Sequence, residues 1–471
     1  MLPQTYDGLR FSADAADCAM PIAVDSHSGC SFSCAYCFSK NLMRNPERWS
    51  AKRRLVERLG GLQAEWPLKK FLAFLRRDLK GRIPEAMYPL IDQGQPIQIG
   101  ALGEPFDLAE LESGWMLRAL SLIAKLKQPV RISTKGADVI LRDEYLDAFR
   151  EARDYVWVNF SIIHPEDDVV RKIDIGAPPP SRRFEAMKAL SEIGVKVGLR
   201  YRPALPPLFN KEVDGRPAWQ VMIDKAVEAG AIAVSFEWVF LYQAANLSQR
   251  RQYRHMSEVM GEPNFPEIWK HHSVRNQACL RANRLYKYGP TMALIDYAHE
   301  KGLTVGISDP HFKEMSDSIA CCGIPENDPV FGRFSRRCLT TLVVEGRRRY
   351  EANGDNLTFR FYDWVPEWAS KVRLADMVCL SDADKHMKYK YATFEDKLRL
   401  EWNNPSHFRS PYYYFEGILY PVDIDDNKDL IYEYRHWEGQ VYKDVEKLKR
   451  LRREVKFLGA PKMRSLSEVF S

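Results

Sequence analysis

The chain has 471 residues, which is long enough for one large domain with an appendage or for two domains. Its 69 basic and 63 acidic residues leave a formal charge of +6, a mild excess that suits anionic partners without indicating nucleic-acid binding by itself. Nine cysteines in so long a chain, the absence of a membrane-length apolar run and the absence of a signal peptide argue against a disulfide-stapled secreted domain or a membrane protein. We therefore expect a cytoplasmic protein.

Short apolar runs alternate with amphipathic segments along the first 310 residues. The predicted strands lie at residues 21–25, 97–100, 130–133, 156–161, 195–201, 231–237 and 303–308. The predicted helices lie at residues 108–126, 143–152, 181–193, 218–228 and 291–301. Ser181 is a plausible N-cap, and Gly194 is the expected C-terminal glycine of that helix. Helices between successive strands imply parallel pairing with right-handed crossovers, so the fold class is predicted to be α/β, a partial (βα)6 barrel.

Three cysteines follow the first predicted strand closely, in the stretch Cys30-Ser-Phe-Ser-Cys34-Ala-Tyr-Cys37. Chemistry in parallel α/β barrels gathers at the carboxyl ends of the strands, which is where this loop is expected. Three thiolates can hold three irons of a cubane cluster and leave the fourth iron open to a further ligand. A zinc site would normally require a second pair of ligands, and no matching pair lies at finger spacing.

The C-x3-C-x2-C spacing, with Tyr36 directly before Cys37, resembles the cluster loop of the radical S-adenosylmethionine (radical SAM) superfamily. In that family the open iron is chelated by the methionine moiety of S-adenosylmethionine, and reductive cleavage releases a 5′-deoxyadenosyl radical that abstracts hydrogen from a substrate. The resemblance implies a [4Fe-4S] cluster on Cys30, Cys34 and Cys37, with S-adenosylmethionine as the second cofactor. It also implies an electron donor such as flavodoxin or ferredoxin as a partner.

Further segments, over residues 20–240, are similar to the branch that contains spore photoproduct lyase. In the turn after the second strand, Gly103 and Glu104 replace the threonine and aspartate of that branch. This makes the turn closer to the glycine–glutamate motif of the wider superfamily, which receives the ammonium group of S-adenosylmethionine. Lys135 resembles a strand-end lysine that contacts S-adenosylmethionine, and Ser161 matches a serine of the fourth strand. The alternatives are a helix-capping role for Glu104, a surface position for Lys135, and backbone hydrogen bonding by Ser161.

Arg200 and Arg202 alternate along the strand predicted at residues 195–201, on the face opposite Val197 and Leu199. Two arginines that face a barrel lumen would be costly to bury without anionic partners. The carboxylate of S-adenosylmethionine, or a substrate phosphate or carboxylate, would supply one, and we place Arg200 in the cofactor site on this basis. If that face lies outside, both are ordinary surface residues.

Cys321 and Cys322 follow the last predicted barrel strand, and a loop there is expected to lie over the mouth of the barrel. They are candidate catalytic residues, since a thiol can donate a hydrogen atom to a substrate radical. Two alternatives remain open: a second iron–sulfur cluster that also uses Cys338 and Cys279, and simple packing in the core.

The predicted domains are a barrel at residues 1–310, with a basic helical insertion at 51–90, and an aromatic-rich α+β region at 311–471 that ends in a basic amphipathic helix. Aromatic side chains after residue 363 could stack on bases, but a core role is favoured. From the resemblance and the positive charge we expect a nucleobase, nucleotide or nucleic acid as substrate. A small metabolite or peptide is the alternative substrate, and a non-enzymatic iron–sulfur or nucleic-acid-binding module is the alternative class.

Overall fold

The computed structural model describes residues 9–12, 16–27, 30–39, 68–76, 85–242, 245, 247–273, 279–372, 393–407, 409–439, 447, 450 and 451. Ser28, Gly29 and most of the predicted insertion and of the predicted final helix lie outside these residues. No helix in the described ranges has both the length and the apolar character that a membrane crossing requires.

The barrel is formed by an eight-stranded sheet whose strands follow one another in chain order. We label its strands β1 (Leu9–Phe11), β2 (Ile22–Val24), β3 (Ile97–Ile99), β4 (Val130–Thr134), β5 (Val156–Ser161), β6 (Lys196–Ala204), β7 (Ala233–Trp238) and β8 (Thr304–Ile307). The pair β1–β2 is antiparallel, and every later pair is parallel. The predicted partial α/β barrel is confirmed, and its seven parallel strands, β2 to β8, correspond to the seven strands predicted from the sequence.

Helices cover the outer face of the sheet and connect its strands. The α-helices are Leu68–Leu75, Tyr88–Asp92, Leu108–Ser113, Trp115–Leu126, Ala137–Ile140, Asp143–Ala152, Asp167–Ile173, Pro180–Glu192, Pro206–Phe209, Ala218–Glu228, Leu247–Met260, Phe265–His271, Arg284–Glu300, Leu339–Asn353, Phe361–Trp364, Phe394–Trp402 and Pro411–Tyr414. Short 3-10 turns lie at Glu85–Met87, Arg153–Tyr155, Pro310–Met315 and Glu367–Lys371.

Two details differ from the helices expected from sequence. The helix predicted at residues 108–126 is broken by Gly114, whose φ of 58° lies in the left-handed region that glycine tolerates. The prediction of Ser181 as an N-cap is wrong, because the helix begins at Pro180 and Ser181 lies inside its first turn, bonded to Asp167. Gly194 does end that helix, with a φ of 89° and its N–H donated to Ser191 O at 2.9 Å.

The two faces of the sheet differ in polarity. On β6, Val197, Leu199 and Tyr201 belong to the apolar core under the helices. Arg200 and Arg202 lie on the opposite face, where they donate to the hydroxyl groups of Ser133 on β4 and Ser235 on β7. The inner face of the barrel is therefore the polar face, as the alternation along β6 predicts.

The C-terminal region adds a three-stranded antiparallel sheet in the order β9 (Thr358–Phe359), β11 (Leu430–Tyr434), β10 (Leu419–Ile424). Its aromatic side chains pack on one another: Trp364 stacks on Trp402 with ring centres 5.3 Å apart. Trp368 stacks on Phe11 of β1 at 4.2 Å, which joins this region to the barrel. The core role favoured for the aromatic side chains after residue 363 is confirmed for those that are buried, among them Trp364, Trp368 and Trp402.

Residues just after position 310 pack against the barrel and the C-terminal region together. Lys313 forms a buried ion pair with Asp17, whose Oδ2 also accepts a 2.7 Å hydrogen bond from the hydroxyl of Tyr414. Glu416 accepts from the backbone N–H of Arg284 at 2.6 Å. The domain boundary at residue 310 stays a prediction.

Candidate active site

The three cysteines of the loop after β2 lie close to the carboxyl ends of the strands. Cys34 is buried, whereas Cys30 and Cys37 are half-buried. The N–H of Cys37 donates to Cys34 O at 3.2 Å, and the N–H of Phe32 lies 3.4 Å from Cys30 Sγ. Burial, Glu104 and Cys34 raise the pKa of the Cys30 thiol. Burial and Asp174 raise the pKa of Cys34 to about 12.

Backbone contacts fix this loop against two other strand-end segments. Ala35 N–H donates to Ile173 O at 2.9 Å, and Gly176 N–H donates to Phe32 O at 2.9 Å. A Cβ atom on Gly176 would lie 2.9 Å from Ser31 O, so only glycine permits this approach. On the other side, Asp107 Oδ2 accepts from the backbone N–H of Ser31 at 2.7 Å.

Glu104 lies in the turn after β3, and its carboxylate is held by the start of the segment after β4. Its Oε1 accepts from Thr134 Oγ1 and, at 3.1 Å, from Phe106 N–H, and its Oε2 accepts from Lys135 N–H at 2.9 Å. A carboxylate offers about four acceptor positions, so one remains on Oε2. Burial raises the pKa of this carboxyl to about 7. The helix cap is Asp107 instead, which accepts from Ala109 N–H.

Asp25, directly after β2, shapes the same turn. Its Oδ1 accepts from the backbone N–H groups of Leu102 and Gly103 at 3.0 and 3.1 Å. Its Oδ2 pairs with buried Arg10 at 2.6 Å. Gly103 therefore contributes backbone to the turn that presents Glu104.

Lys135 is the side chain that joins the cysteine loop to the barrel. Its Nζ lies 3.1 Å from Cys34 Sγ and 3.0 Å from Asp174 Oδ1, and it also donates to the hydroxyl of Tyr36. Burial alone would lower the pKa of this ammonium, but Asp174 and Cys34 raise it. These three bonds use all three N–H donors of a lysine.

Asp174 is shared between Lys135 and a second cation. Its Oδ2 accepts from Arg183 at 2.8 Å, and neither the Asp174 nor the Arg183 side chain is exposed. Burial would raise the pKa of the Asp174 carboxyl, but Lys135 and Arg183 hold it well below its usual value. Arg183 also donates to the main-chain oxygen of Ser161 at 2.8 Å, so Ser161 lies at the end of this chain of contacts. Sequence reasoning assigned no role to Asp107 or Arg183, and it missed Asp174 altogether.

Arg200 lies apart from these groups, inside the barrel. It donates to Ser133 Oγ at 3.4 Å, and the same hydroxyl accepts from Arg131 of β4. Its neighbour Arg202 pairs with Glu237 at 2.9 Å. No contact among the described residues joins Arg200 to the cysteine loop, Glu104 or Lys135.

Cys321 and Cys322 do not lie over the mouth, and the structure corrects that expectation. The chain turns back after β8 and enters the barrel, where Cys321 O accepts from Ser235 Oγ at 2.7 Å and Cys322 O accepts from Asn159 Nδ2 at 3.2 Å. Both donors lie on the inner face, on β7 and β5. The turn therefore fills part of the lumen, because its backbone finds hydrogen-bond partners there.

A third cysteine, Cys18, lies next to this turn and was missed by sequence reasoning. Burial, together with Cys321 and Cys322, raises the pKa of its thiol. Cys338 is bonded to Thr341 Oγ1 at 3.3 Å in a small apolar cluster, and Cys279 lies in a short strand pair with Tyr242. Cys338 thus packs with Thr341 and its apolar neighbours, which gives no support to the second-cluster alternative.

The turn fits only because glycine occupies the facing position on β8. A Cβ atom on Gly306 would lie 2.3 Å from Gly323 N and 2.8 Å from Cys321 O. We expect Gly306→Ala to displace the turn and lower the thermal midpoint, since backbone atoms cannot yield as a flexible side chain does. Lys225→Ala is the control, because Lys225 is exposed on the helix Ala218–Glu228 and alanine favours a helix. Equal midpoints of the two variants would contradict this close packing.

The residues around the cysteine loop suit an iron–sulfur cluster. Three thiols on one short loop supply the usual donor atoms, with an ammonium group against one of them. In the described ranges no three His, Cys, Asp or Glu side chains converge on one point as ligands of a single metal ion would. A cubane takes each cysteine at a different iron, so its ligands are spread and this donor set fits it.

Residues 25–213 match the sequence model of the Radical SAM superfamily. Among curated proteins, an uncharacterized protein of Acidianus two-tailed virus, ORF301, is 35% identical over 68 residues, which is 14% of this chain. The chain covers only 23% of that viral protein.

Among solved structures, a spore photoproduct lyase variant is 14% identical with a TM-score of 0.42, covering 63% of this chain and 76% of the lyase. Another variant, with bound AdoMet and dinucleoside spore photoproduct, has a TM-score of 0.40 at 14% identity and covers 62% of this chain and 76% of that one. SuiB of Streptococcus suis bound to S-adenosylmethionine is 15% identical with a TM-score of 0.31, covering 51% of this chain and 44% of SuiB. Likeness at this level identifies no substrate.

Proposed function

Because residues 25–213 form a radical SAM domain, we propose that the protein abstracts hydrogen from a nucleobase, nucleotide or nucleic acid. The family predicted from the cysteine loop is thereby confirmed, and with it the class of enzyme and its two cofactors, a [4Fe-4S] cluster and S-adenosylmethionine. The reaction subclass and the substrate belong to the proposal.

The observation that carries the proposal is the meeting of three cysteines with Glu104 and Lys135 at one end of the barrel. Cys30, Cys34 and Cys37 would hold the cluster. Lys135 contacts Cys34 at 3.1 Å, and the charge of Glu104 acts on Cys30. When bound, the two cofactors supply one electron and a 5′-deoxyadenosyl radical.

Within this site each side chain has a proposed task. Glu104, oriented by backbone donors, has one acceptor position left for the ammonium group of S-adenosylmethionine, next to Gly103. Lys135 holds the cysteine loop, so contact with S-adenosylmethionine would require the exchange of one of its three bonds. Ser161 would line the same end of the sheet. The inner face below excludes bulk water from the substrate.

The proposed partners follow from this chemistry. The cluster needs an external one-electron donor, such as flavodoxin or ferredoxin. A nucleic-acid or nucleotide substrate rests on the sequence resemblance and on the positive charge of the chain. Cys321 and Cys322, which lie in the lumen below, remain proposed hydrogen-atom donors.

The test is anaerobic reconstitution with iron and sulfide, reduction with dithionite, and assay of 5′-deoxyadenosine from S-adenosylmethionine. We expect cleavage without substrate and faster cleavage with single-stranded DNA, RNA or nucleotides. Cluster-loaded protein that cleaves no S-adenosylmethionine under any of these conditions would overturn the enzyme proposal. Stimulation by a peptide or metabolite, and by no nucleotide, would overturn the substrate class alone.

Glu104→Gln is expected to weaken binding of S-adenosylmethionine to the cluster-loaded protein by about 10- to 100-fold. A charge-assisted hydrogen bond contributes about 1.5–3 kcal/mol, and glutamine removes the charge while keeping the shape. Equilibrium dialysis with labelled S-adenosylmethionine measures the change. Glu112→Gln, an exposed position on the following helix, is the matched control and is expected to bind like the wild type. Unchanged affinity of Glu104→Gln would remove Glu104 from the cofactor site.

A further inference from the structure

Two arginines lie inside the barrel without a carboxylate partner among the residues that the structure describes. Arg131 is 5% exposed and donates to Ser133 Oγ and Gln98 Oε1, both neutral, while its Nε has no hydrogen-bond partner. Arg200 donates to Ser133 Oγ at 3.4 Å. Among the described residues, no Asp or Glu forms an ion pair with either guanidinium. Taking a guanidinium group out of water without an anionic partner is unfavourable.

The carboxylates nearby are used by other cations. Glu237 pairs with both Arg202 at 2.9 Å and Arg281 at 3.1 Å. Asp309 pairs with buried Lys287 at 2.7 Å. The inner face therefore has an excess of positive charge around Arg200. Burial, with Arg202 and Arg131 beside it, lowers the pKa of Arg200 to about 9, which agrees with this excess.

The position of Arg131 and Arg200 inside the barrel limits which groups can reach them. Arg200 lies in register with Ser161 on β5 and with Ser235 on β7. Ser235 Oγ bonds to Cys321 O, so the cysteine turn lies directly against this level of the lumen. A group that meets both guanidiniums therefore has the Cys321–Cys322 turn beside it and must come from the open end of the barrel, where the cysteine loop lies.

We propose that Arg131 and Arg200 bind an anionic group of the substrate, a phosphate or a carboxylate, inside the barrel. This proposal rests on the proposed function and adds to it the charge of the substrate. It moves Arg200 from the cofactor site to the substrate site, because Glu104 and Lys135 lie with the cysteine loop whereas Arg200 shares Ser133 with Arg131. Both guanidinium groups donate to the same hydroxyl oxygen, so several N–H donors lie close together. Such a group of charged donors binds oxyanions well.

The test measures anion binding by the cluster-loaded protein, with inorganic phosphate and acetate as separate probes at constant ionic strength. We expect one of them to raise the thermal midpoint in a saturable way and to bind by calorimetry. Phosphate binding identifies a phosphorylated substrate, and acetate binding a carboxylate substrate. Arg200→Met and Arg131→Met should each weaken that binding at least tenfold. In anion-free buffer Arg200→Met should melt no lower than the wild type, because the substitution removes a half-buried charge that has no carboxylate partner among the described residues.

Arg182→Gln is the matched control, since Arg182 has 41% of its side chain exposed and pairs only with surface carboxylates. Loss of anion binding in this control, or no saturable binding of either anion by the wild type, would overturn the inference. So would an Arg200→Met variant whose affinity for S-adenosylmethionine falls by the same factor as its affinity for the anion. Wild-type protein that binds an anion but cleaves no S-adenosylmethionine would overturn the proposed function and leave the anion site intact. The two experiments therefore distinguish a failure of the inference from a failure of the proposed function.

Discussion

Cys34→Ala is expected to lose the iron–sulfur cluster and all detectable formation of 5′-deoxyadenosine. The residue is one of three cysteines on the loop and the only one of the three that is buried, with its Sγ against Lys135 Nζ at 3.1 Å. A cubane with two protein ligands has two irons exposed and is not retained. Iron analysis after anaerobic reconstitution should fall from about four irons per chain to a small fraction of that number. The visible absorbance of the cluster should be lost together with the iron.

Cys338→Ala is the control for this variant. Cys338 is also buried, but it packs with Ala19, Ile319 and Val344, far in the chain from the loop. It should keep the iron content and the cleavage of S-adenosylmethionine, with at most a modest loss of stability from the smaller side chain. A Cys34→Ala protein that retains wild-type iron, or a Cys338→Ala protein that loses its iron, would place the cluster elsewhere.

Asp174→Ala is expected to cause the largest loss of stability among single substitutions at this site, about 3–5 kcal/mol. The substitution leaves Lys135 and Arg183 buried without their shared carboxylate. Since Lys135 also positions Cys34 and Arg183 holds the end of β5 at Ser161, the cysteine loop should loosen as well. The thermal midpoint of the protein before reconstitution measures the stability, and the iron content afterwards measures the order of the loop.

Asp168→Asn is the matched control on the same short helix, where its carboxylate is 91% exposed and close only to Arg171. It should change the midpoint little, because exposed ion pairs contribute little. The double variant Asp174→Ala with Lys135→Met should recover part of the loss, since one of the two unpaired charges is removed with it. A midpoint for Asp174→Ala equal to that of Asp168→Asn would show that the buried chain of charges does not stabilise the site.

Much of the barrel could be predicted because its signals are local. Buried strands such as Val156–Ser161 are short segments rich in β-branched and aromatic residues, and helices such as Ala218–Glu228 carry an apolar stripe of helical period. The break at Gly114 was not anticipated, because residues on both sides continue the helical pattern. The Ser181 cap was misplaced because Pro180 can open a helix one residue earlier.

The cysteine loop shows what the sequence by itself determined. Cys30, Cys34 and Cys37 lie within eight residues, so their spacing alone predicts a cluster loop and led to the superfamily. Glu104 was singled out by its resemblance to the superfamily's glycine–glutamate motif, and its contact with S-adenosylmethionine stays a prediction. Both signals are short-range, and no knowledge of the tertiary structure is needed to read them.

The tertiary structure decided which distant groups meet that loop and what lines the barrel. Lys135 and Asp174 lie 39 residues apart in sequence, and their pairing gives Lys135 a role in holding Cys34. The turn at Cys321 and Cys322, expected over the mouth, fills the lumen because Ser235 and Asn159 satisfy its backbone there. The shared contact of Arg131 and Arg200 with Ser133 likewise depends on which side chains of different strands meet inside the barrel. The pattern of residues along one strand does not show which residues of other strands will lie beside it.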